Sequence, residues 1–189
     1  MTRAVFLDRD GVINRAVIRD GRPYSPTALE EVEWLPGARD AIGLLRDAGY
    51  RVIVVTNQPD VRMGLQPQEV VEAIHRRLRE VVAVDDIRVC YHIDEDGCLC
   101  RKPKPGMLVD AAREWGVDLT ESVMVGDRWR DIEAGKAAGC KTVLIWGGYL
   151  EREPLQPDAV VQSLSEAAAL ILSQWAPSPY PRRRSDGGD

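Results

Sequence analysis

Ala4-Val5-Phe6-Leu7-Asp8-Arg9-Asp10-Gly11 is an apolar run of strand type that stops at two carboxylates one residue apart, followed by glycine. Alternate residues of a strand point the same way, so Asp8 and Asp10 are expected to face one site as the chain leaves a sheet. Two like charges that close repel unless a cation lies between them, and oxygen ligands of this kind suit Mg²⁺. The carboxyl edge of an open α/β sheet is also where ligands bind. A plain surface turn is the competing reading, since Asp and Gly are common turn residues.

Three further segments decide between the two. Val52-Ile53-Val54-Val55-Thr56-Asn57-Gln58 is a second apolar strand, ending in a hydroxyl. Arg101-Lys102-Pro103-Lys104-Pro105-Gly106-Met107 places cations just before an expected helix start. Val123-Met124-Val125-Gly126-Asp127-Arg128-Trp129-Arg130-Asp131 is a third buried-type strand, ending in carboxylates. The order DxD, Thr, Lys, GDxxxD along one chain resembles the haloacid dehalogenase superfamily of phosphotransferases, over about residues 4–150.

Composition sets the outer bounds. With 189 residues and 44% hydrophobic content, the chain suits one globular domain with its own core. A net charge of −5 argues against a general nucleic-acid binder, which is normally basic. A polynucleotide phosphatase is disfavoured by the same charge and by the lack of a basic, aromatic-lined groove. No apolar run reaches the roughly 18 residues of a membrane span, and Met1-Thr2-Arg3 leads straight into a strand rather than a signal peptide. A cytoplasmic monomer is expected, with neither nucleic-acid nor membrane partners.

Strand-like runs at 4–7, 51–56, 87–91, 122–125 and 141–145 alternate with helical patterns near 37–48, 67–82, 107–115, 129–138 and 165–173. Gly49 and Gly139 sit where helix C-terminal glycines are expected. The alternation predicts an α/β fold: a Rossmann-like, mostly parallel sheet with helices on both faces. Residues 11–36, with Gly21, Pro23, Pro26 and Pro36, read as an irregular flap near the site. One phosphatase domain spans 1–175, and the Pro- and Arg-rich stretch 176–189 reads as a disordered tail.

Cys90, His92, Cys98 and Cys100 form the pattern Cys-x-His-x5-Cys-x-Cys, while Cys140 stands apart as a core thiol. Three thiolates and an imidazole suit tetrahedral Zn²⁺ with no open position, hence a structural ion. A disulfide and free cytosolic thiols are the alternatives. His75, on an Arg-rich helix, reads as a solvated surface residue. Trp34, Trp115, Trp129 and Trp146 read as packing residues, with Trp129 bordering the pocket.

The run Cys-x-Cys-Arg-Lys-Pro-x-Pro-Gly-Met after Cys-x-His resembles the D-glycero-D-manno-heptose 1,7-bisphosphate phosphatases and the related histidinol-phosphate phosphatases, in which a small zinc loop replaces a large cap domain. The resemblance implies an Mg²⁺-dependent phosphatase that works through an aspartyl-phosphate and removes the 7-phosphate of the heptose bisphosphate. Asp8 would be the nucleophile and Asp10 the general acid and base. Thr56 and Lys102 would hold the phosphoryl oxygens, and Asn57, Gln58, Arg101 and Arg128 would contact substrate. Mg²⁺ would lie among the Asp8 carboxylate, the Asp10 carbonyl and the Asp127 carboxylate. Asp131 reads either as a group near the metal or as a solvated Asp in a first helical turn, and the competing reading of Arg128 is a pair with Asp131 on that helix.

One stretch departs from the family. Heptose phosphatases usually continue Thr-Asn-Gln with Ser-Gly-Ile-Ala-Arg-Gly, whereas this chain has Pro59-Asp60-Val61-Arg62-Met63-Gly64. Pro59 removes a backbone donor and Asp60 adds a negative charge beside the phosphate site. Histidinol phosphate or another small phosphate ester is therefore the alternative substrate. A catalytically idle, zinc-stabilised binding module is the alternative of another class.

Overall fold

The protein, as a computed structural model, is described over residues 2–154 and 156–175. The stretch 176–189 lies outside the described residues. Eight strands are present among them: β1 Arg3–Leu7, β2 Val17–Arg19, β3 Arg22–Tyr24, β4 Tyr50–Asn57, β5 Asp86–Cys90, β6 Val123–Gly126, β7 Lys141–Ile145 and β8 Ala159–Val161. The helices are α1 Ala38–Asp47, α2 Pro59–Arg62, α3 Gln68–Val81, α4 Gly106–Trp115, α5 Trp129–Ala138 and α6 Leu164–Leu170. No helix among the described residues is long and apolar enough to cross a membrane.

Six strands form one parallel sheet in the order β5-β4-β1-β6-β7-β8. Strand parity sorts their side chains into two cores. Val5 and Leu7 of β1, Val52 and Val54 of β4, and Val123 and Val125 of β6 pack on one face with α1 and α6. Ala4, Phe6, Ile53, Val55 and Met124 pack on the other with Met107, Leu108 and Ala111 of α4 and Ala134 of α5. Helix α1 buries Ala38, Ala41, Ile42 and Leu45, the spacing of a single apolar stripe.

From β1 the chain moves outward to β4 and β5, then crosses back to lay β6 on the other side of β1. This reversal opens a crevice beyond the carboxyl end of β1, where open α/β sheets bind ligands. Asp8, Thr56 and Asp127 all sit at strand ends on that edge.

The structure corrects two expectations of organisation. The insert 11–36 is not wholly irregular: β2 and β3 pair as an antiparallel hairpin with Val17 opposite Tyr24. A sixth sheet strand, β8, follows β7 at the edge. Both elements involve three-residue strands, too short to show a period of two.

Candidate active site

The carboxyl edge is built around a lysine. Lys102 is 2% exposed, and its ammonium donates to Asp8 Oδ1 at 2.8 Å and the Val55 carbonyl at 2.7 Å, with Asp131 Oδ1 at 2.6 Å. All three ammonium donors are thereby used. Burial alone would depress its pKa, but the charges of Asp131 and Asp8 outweigh that and raise it, so the lysine is a fixed cation. Asp131 is also bound from the other side, because its Oδ2 accepts from the Arg128 backbone N–H at the start of α5. It is a buried member of the site rather than a solvated first-turn residue.

Asp8, Asp127 and Asp131 each offer an oxygen within 4.8 Å of the others. Burial, more than any other influence, pushes the Asp8 carboxyl up to about 6, and Asp131 and Asp10 add to this against the opposing pull of Lys102. Asp127 is raised well above its ordinary value by burial and then by Asp8 and Asp131. Its Oδ2 accepts from Tyr149 at 2.7 Å, while its Oδ1 is buried without a hydrogen-bond partner. Three crowded carboxylates facing one lysine lack positive charge, and an all-oxygen donor set with an orphaned atom fits a hard divalent cation such as Mg²⁺. Gly11 makes this crowding possible. Its φ is +83°, and a Cβ there would lie 1.8 Å from Asp127 Oδ2.

Asp10 is held differently. Its Oδ1 accepts from Arg9 Nε and Asn14 Nδ2, and its Oδ2 from Arg9 Nη2, Ser25 Oγ and Gln58 Nε2, at 2.8 to 3.1 Å. Burial works to raise its pKa, but Arg9 and these hydrogen bonds prevail and hold the carboxyl below its ordinary value. Two carboxylates one residue apart are thus pushed in opposite directions by their surroundings.

Several expected contacts are turned inward. Gln58 is fully buried, and its amide donates to Thr56 Oγ1 at 2.8 Å as well as to Asp10, so it supports the site from behind. Asn57 grips the Lys102 backbone in both directions, at 3.0 and 3.1 Å, while also lining the cavity. The Arg128 side chain pairs with Glu151 rather than Asp131. Arg101 bonds Asp94 and the His92 carbonyl. Trp146 is exposed instead of packed, whereas Trp129 is stacked between Arg130 and Arg152.

These groups surround a cavity of about 270 Å³ whose floor includes Asp8, Asp10, Lys102 and Asp131 and whose rim carries Arg22, Arg101, Arg128 and Arg130. Pro59 enters α2 as its first residue, where a missing N–H costs nothing, and both it and Asp60 line the same cavity. Arg22, Ser25, Asn14, Tyr149 and Glu151 carry no local sequence signal, because only the fold brings them to the motifs.

The Cys90, His92, Cys98 and Cys100 donors also lie within 4.8 Å of one another. Their sulfurs are 3.0, 3.5 and 3.8 Å apart, well beyond the S–S bond of about 2.05 Å, and all are free thiols. Tetrahedral zinc with about 2.3 Å to each sulfur sets its sulfurs about 3.8 Å apart; the Cys90–Cys98 pair has that separation and the two pairs with Cys100 are closer. Cys140 is a buried core thiol, as expected.

His75 is the clearest correction. It is 5% exposed, not solvated, and its Nε2 lies 3.0 Å from Arg9 Nη1. Burial first, and then the Arg9 charge, push its pKa down from 6.5 to about 3. Above pH 6.5 the ring is neutral in both folded and unfolded chains. As pH falls below that value only the unfolded chain takes up the proton, so stability is lost toward pH 3. Denaturant melts at pH 7 and pH 4.5 are expected to differ through this residue by about 2–3 kcal/mol. A His75→Gln variant showing the same acid loss as the parent would refute that contribution.

The HAD-hydrolase-like family model matches residues 99–167. A D-glycero-beta-D-manno-heptose-1,7-bisphosphate 7-phosphatase of Pseudomonas aeruginosa is 44% identical over 182 residues, covering 91% of this chain and 99% of that protein. A D-glycero-alpha-D-manno-heptose-1,7-bisphosphate 7-phosphatase of Mycobacterium tuberculosis is 40% identical over 154 residues, covering 76% of this chain and 79% of that protein. The crystal structure of a D,D-heptose 1,7-bisphosphate phosphatase from B. bronchiseptica, complexed with magnesium and phosphate, aligns with a TM-score of 0.74 at 35% identity, covering 90% of this chain and 98% of that one.

Proposed function

The chain belongs to the heptose-1,7-bisphosphate 7-phosphatases of the haloacid dehalogenase superfamily, and on that footing we propose that it removes the 7-phosphate of D-glycero-D-manno-heptose 1,7-bisphosphate. It is a phosphoric monoester hydrolase. The observation that carries the reading is the Lys102 ammonium locked between Asp8 and Asp131 on the floor of an arginine-rimmed cavity. Asp8 attacks phosphorus and becomes the aspartyl-phosphate. Asp10 protonates the leaving alkoxide and then takes a proton from the water that cleaves the acyl phosphate. Lys102 neutralises charge at the phosphoryl oxygens, and Thr56 supplies a hydroxyl oriented by Gln58. Asp8, the Asp10 carbonyl and Asp127 would hold Mg²⁺, which would supply charge neutralisation at the reacting phosphate.

Zinc held by Cys90, His92, Cys98 and Cys100 is part of the same reading. The carbonyl of His92 receives the Arg101 guanidinium, and Cys100 lies two residues before Lys102, so a closed loop here fixes both cations. A monomeric, cytoplasmic enzyme with a small phosphorylated sugar as its partner completes the proposal.

Arg101 and Arg128 stand at the rim, so a substrate with a second anionic group gains a charge-assisted contact. Heptose 1,7-bisphosphate is expected to exceed its monophosphate in kcat/KM, and Arg101→Ala to reduce that advantage by roughly ten- to a hundredfold. Specificity constants for heptose 1,7-bisphosphate, fructose 1,6-bisphosphate and histidinol phosphate test the assignment. A clear preference for histidinol phosphate would mean that Asp60 at the cavity wall has redirected the site toward a cationic substrate.

A further inference from the structure

We propose that Arg9 and His75 are positioning residues that together hold the Asp10 carboxylate for its acid–base step; the inference rests on the phosphatase reading above. Arg9 lies between the two catalytic carboxylates, yet its side chain is fully buried. Its Nε and Nη2 reach the two oxygens of Asp10 at 3.1 and 2.9 Å, a two-point grip with a fixed plane. The third nitrogen, Nη1, lies 3.0 Å from Nε2 of His75 on α3, a residue 66 positions away in sequence. A guanidinium has no acceptor, so His75 Nε2 must accept and the ring is the neutral tautomer protonated at Nδ1.

The physical consequence is directional. A buried guanidinium that loses an acceptor must either leave N–H groups unpaired or rotate to find another. Rotation in the fork plane breaks one of the two bonds to Asp10. The remaining partners of that carboxylate, Asn14, Ser25 and Gln58, come from loops and from the residue after β4. Arg9, through His75, ties it to α3. The Arg9 backbone is itself fixed, since its carbonyl accepts from the amides of Ile13 and Asn14 at 2.8 and 3.1 Å.

The leaving group separates this role from mere structural support. A sugar alkoxide is a poor leaving group that needs the Asp10 proton, whereas p-nitrophenolate departs unaided. Because kcat/KM covers steps up to phosphoenzyme formation, it reports the acid step. His75→Leu keeps volume but removes the acceptor. It is expected to lower kcat/KM for the heptose bisphosphate by roughly ten- to a hundredfold and for p-nitrophenyl phosphate by less than about threefold. His75→Gln, which returns an acceptor near the Nε2 position, is expected to restore most of the loss. Arg9→Lys keeps the charge but cannot fork, and repeats the test without altering α3, with the same selective loss expected. Equal losses on both esters, or no loss on the sugar phosphate, would overturn the inference. Failure of the unaltered protein to cleave either ester would instead overturn the phosphatase reading.

Discussion

Asp8→Asn abolishes turnover, by roughly 10⁴-fold or more, while the fold persists. The amide cannot attack phosphorus, and trapping with beryllium fluoride as a phosphate mimic is expected to fail in this variant. Stability moves the other way. Burial above all, with Asp131 and Asp10 adding to it, pushes the Asp8 carboxyl up to about 6, so at neutral pH its charge is carried at a cost. A neutral Asn removes the cost of burying that charge and still offers an oxygen to Lys102. Thermal unfolding near pH 7.5 should show a midpoint equal to or above that of the parent. Phosphate release near the parental rate from Asp8→Asn would sink the aspartyl-phosphate mechanism.

The metals are expected to separate by their chemistry. Chelation of Mg²⁺ stops catalysis reversibly, because a hard ion bound through a few carboxylates exchanges readily. Zinc instead co-purifies at about one per chain, as a closed set of three thiolates and an imidazole implies. Cys98→Ser is expected to lose that zinc and to reduce kcat/KM by tenfold or more, because the ordering of His92 and Cys100 is transmitted to Arg101 and Lys102. Elemental analysis finding no zinc in protein prepared without chelator would refute this assignment. So would a disulfide between any two of Cys90, Cys98 and Cys100 under reducing conditions.

Much of the site was legible because its chemistry is written at strand ends. Asp8 ends an apolar run, Thr56 ends another and Asp127 a third, and a parallel sheet aligns such ends on one edge wherever the strands sit in it. Cys90, His92, Cys98 and Cys100 were equally legible, since ligands within eleven residues need no long-range information to meet. Strand and helix existence followed from periodicity for the longer elements. It failed for β2, β3 and β8, whose three residues each carry no pattern and are held by their neighbours instead.

What the sequence carried by itself was the order of motifs by which the chain resembles its family, and the four clustered donors at 90–100, which need no distant partner to meet. What only the tertiary structure decided was which partner each polar group took. Lys102 meets Asp8 across 94 residues, Arg9 meets His75 across 66, and Arg128 turns to Glu151 instead of the nearby Asp131. His75 shows the reason most plainly. On its own helix it has arginines for neighbours and reads as solvated, but Val71, Ile74 and Leu78 set the buried stripe of α3, and His75 lies beside it. Packing that stripe carries the imidazole into the interior, where a buried guanidinium requires an acceptor.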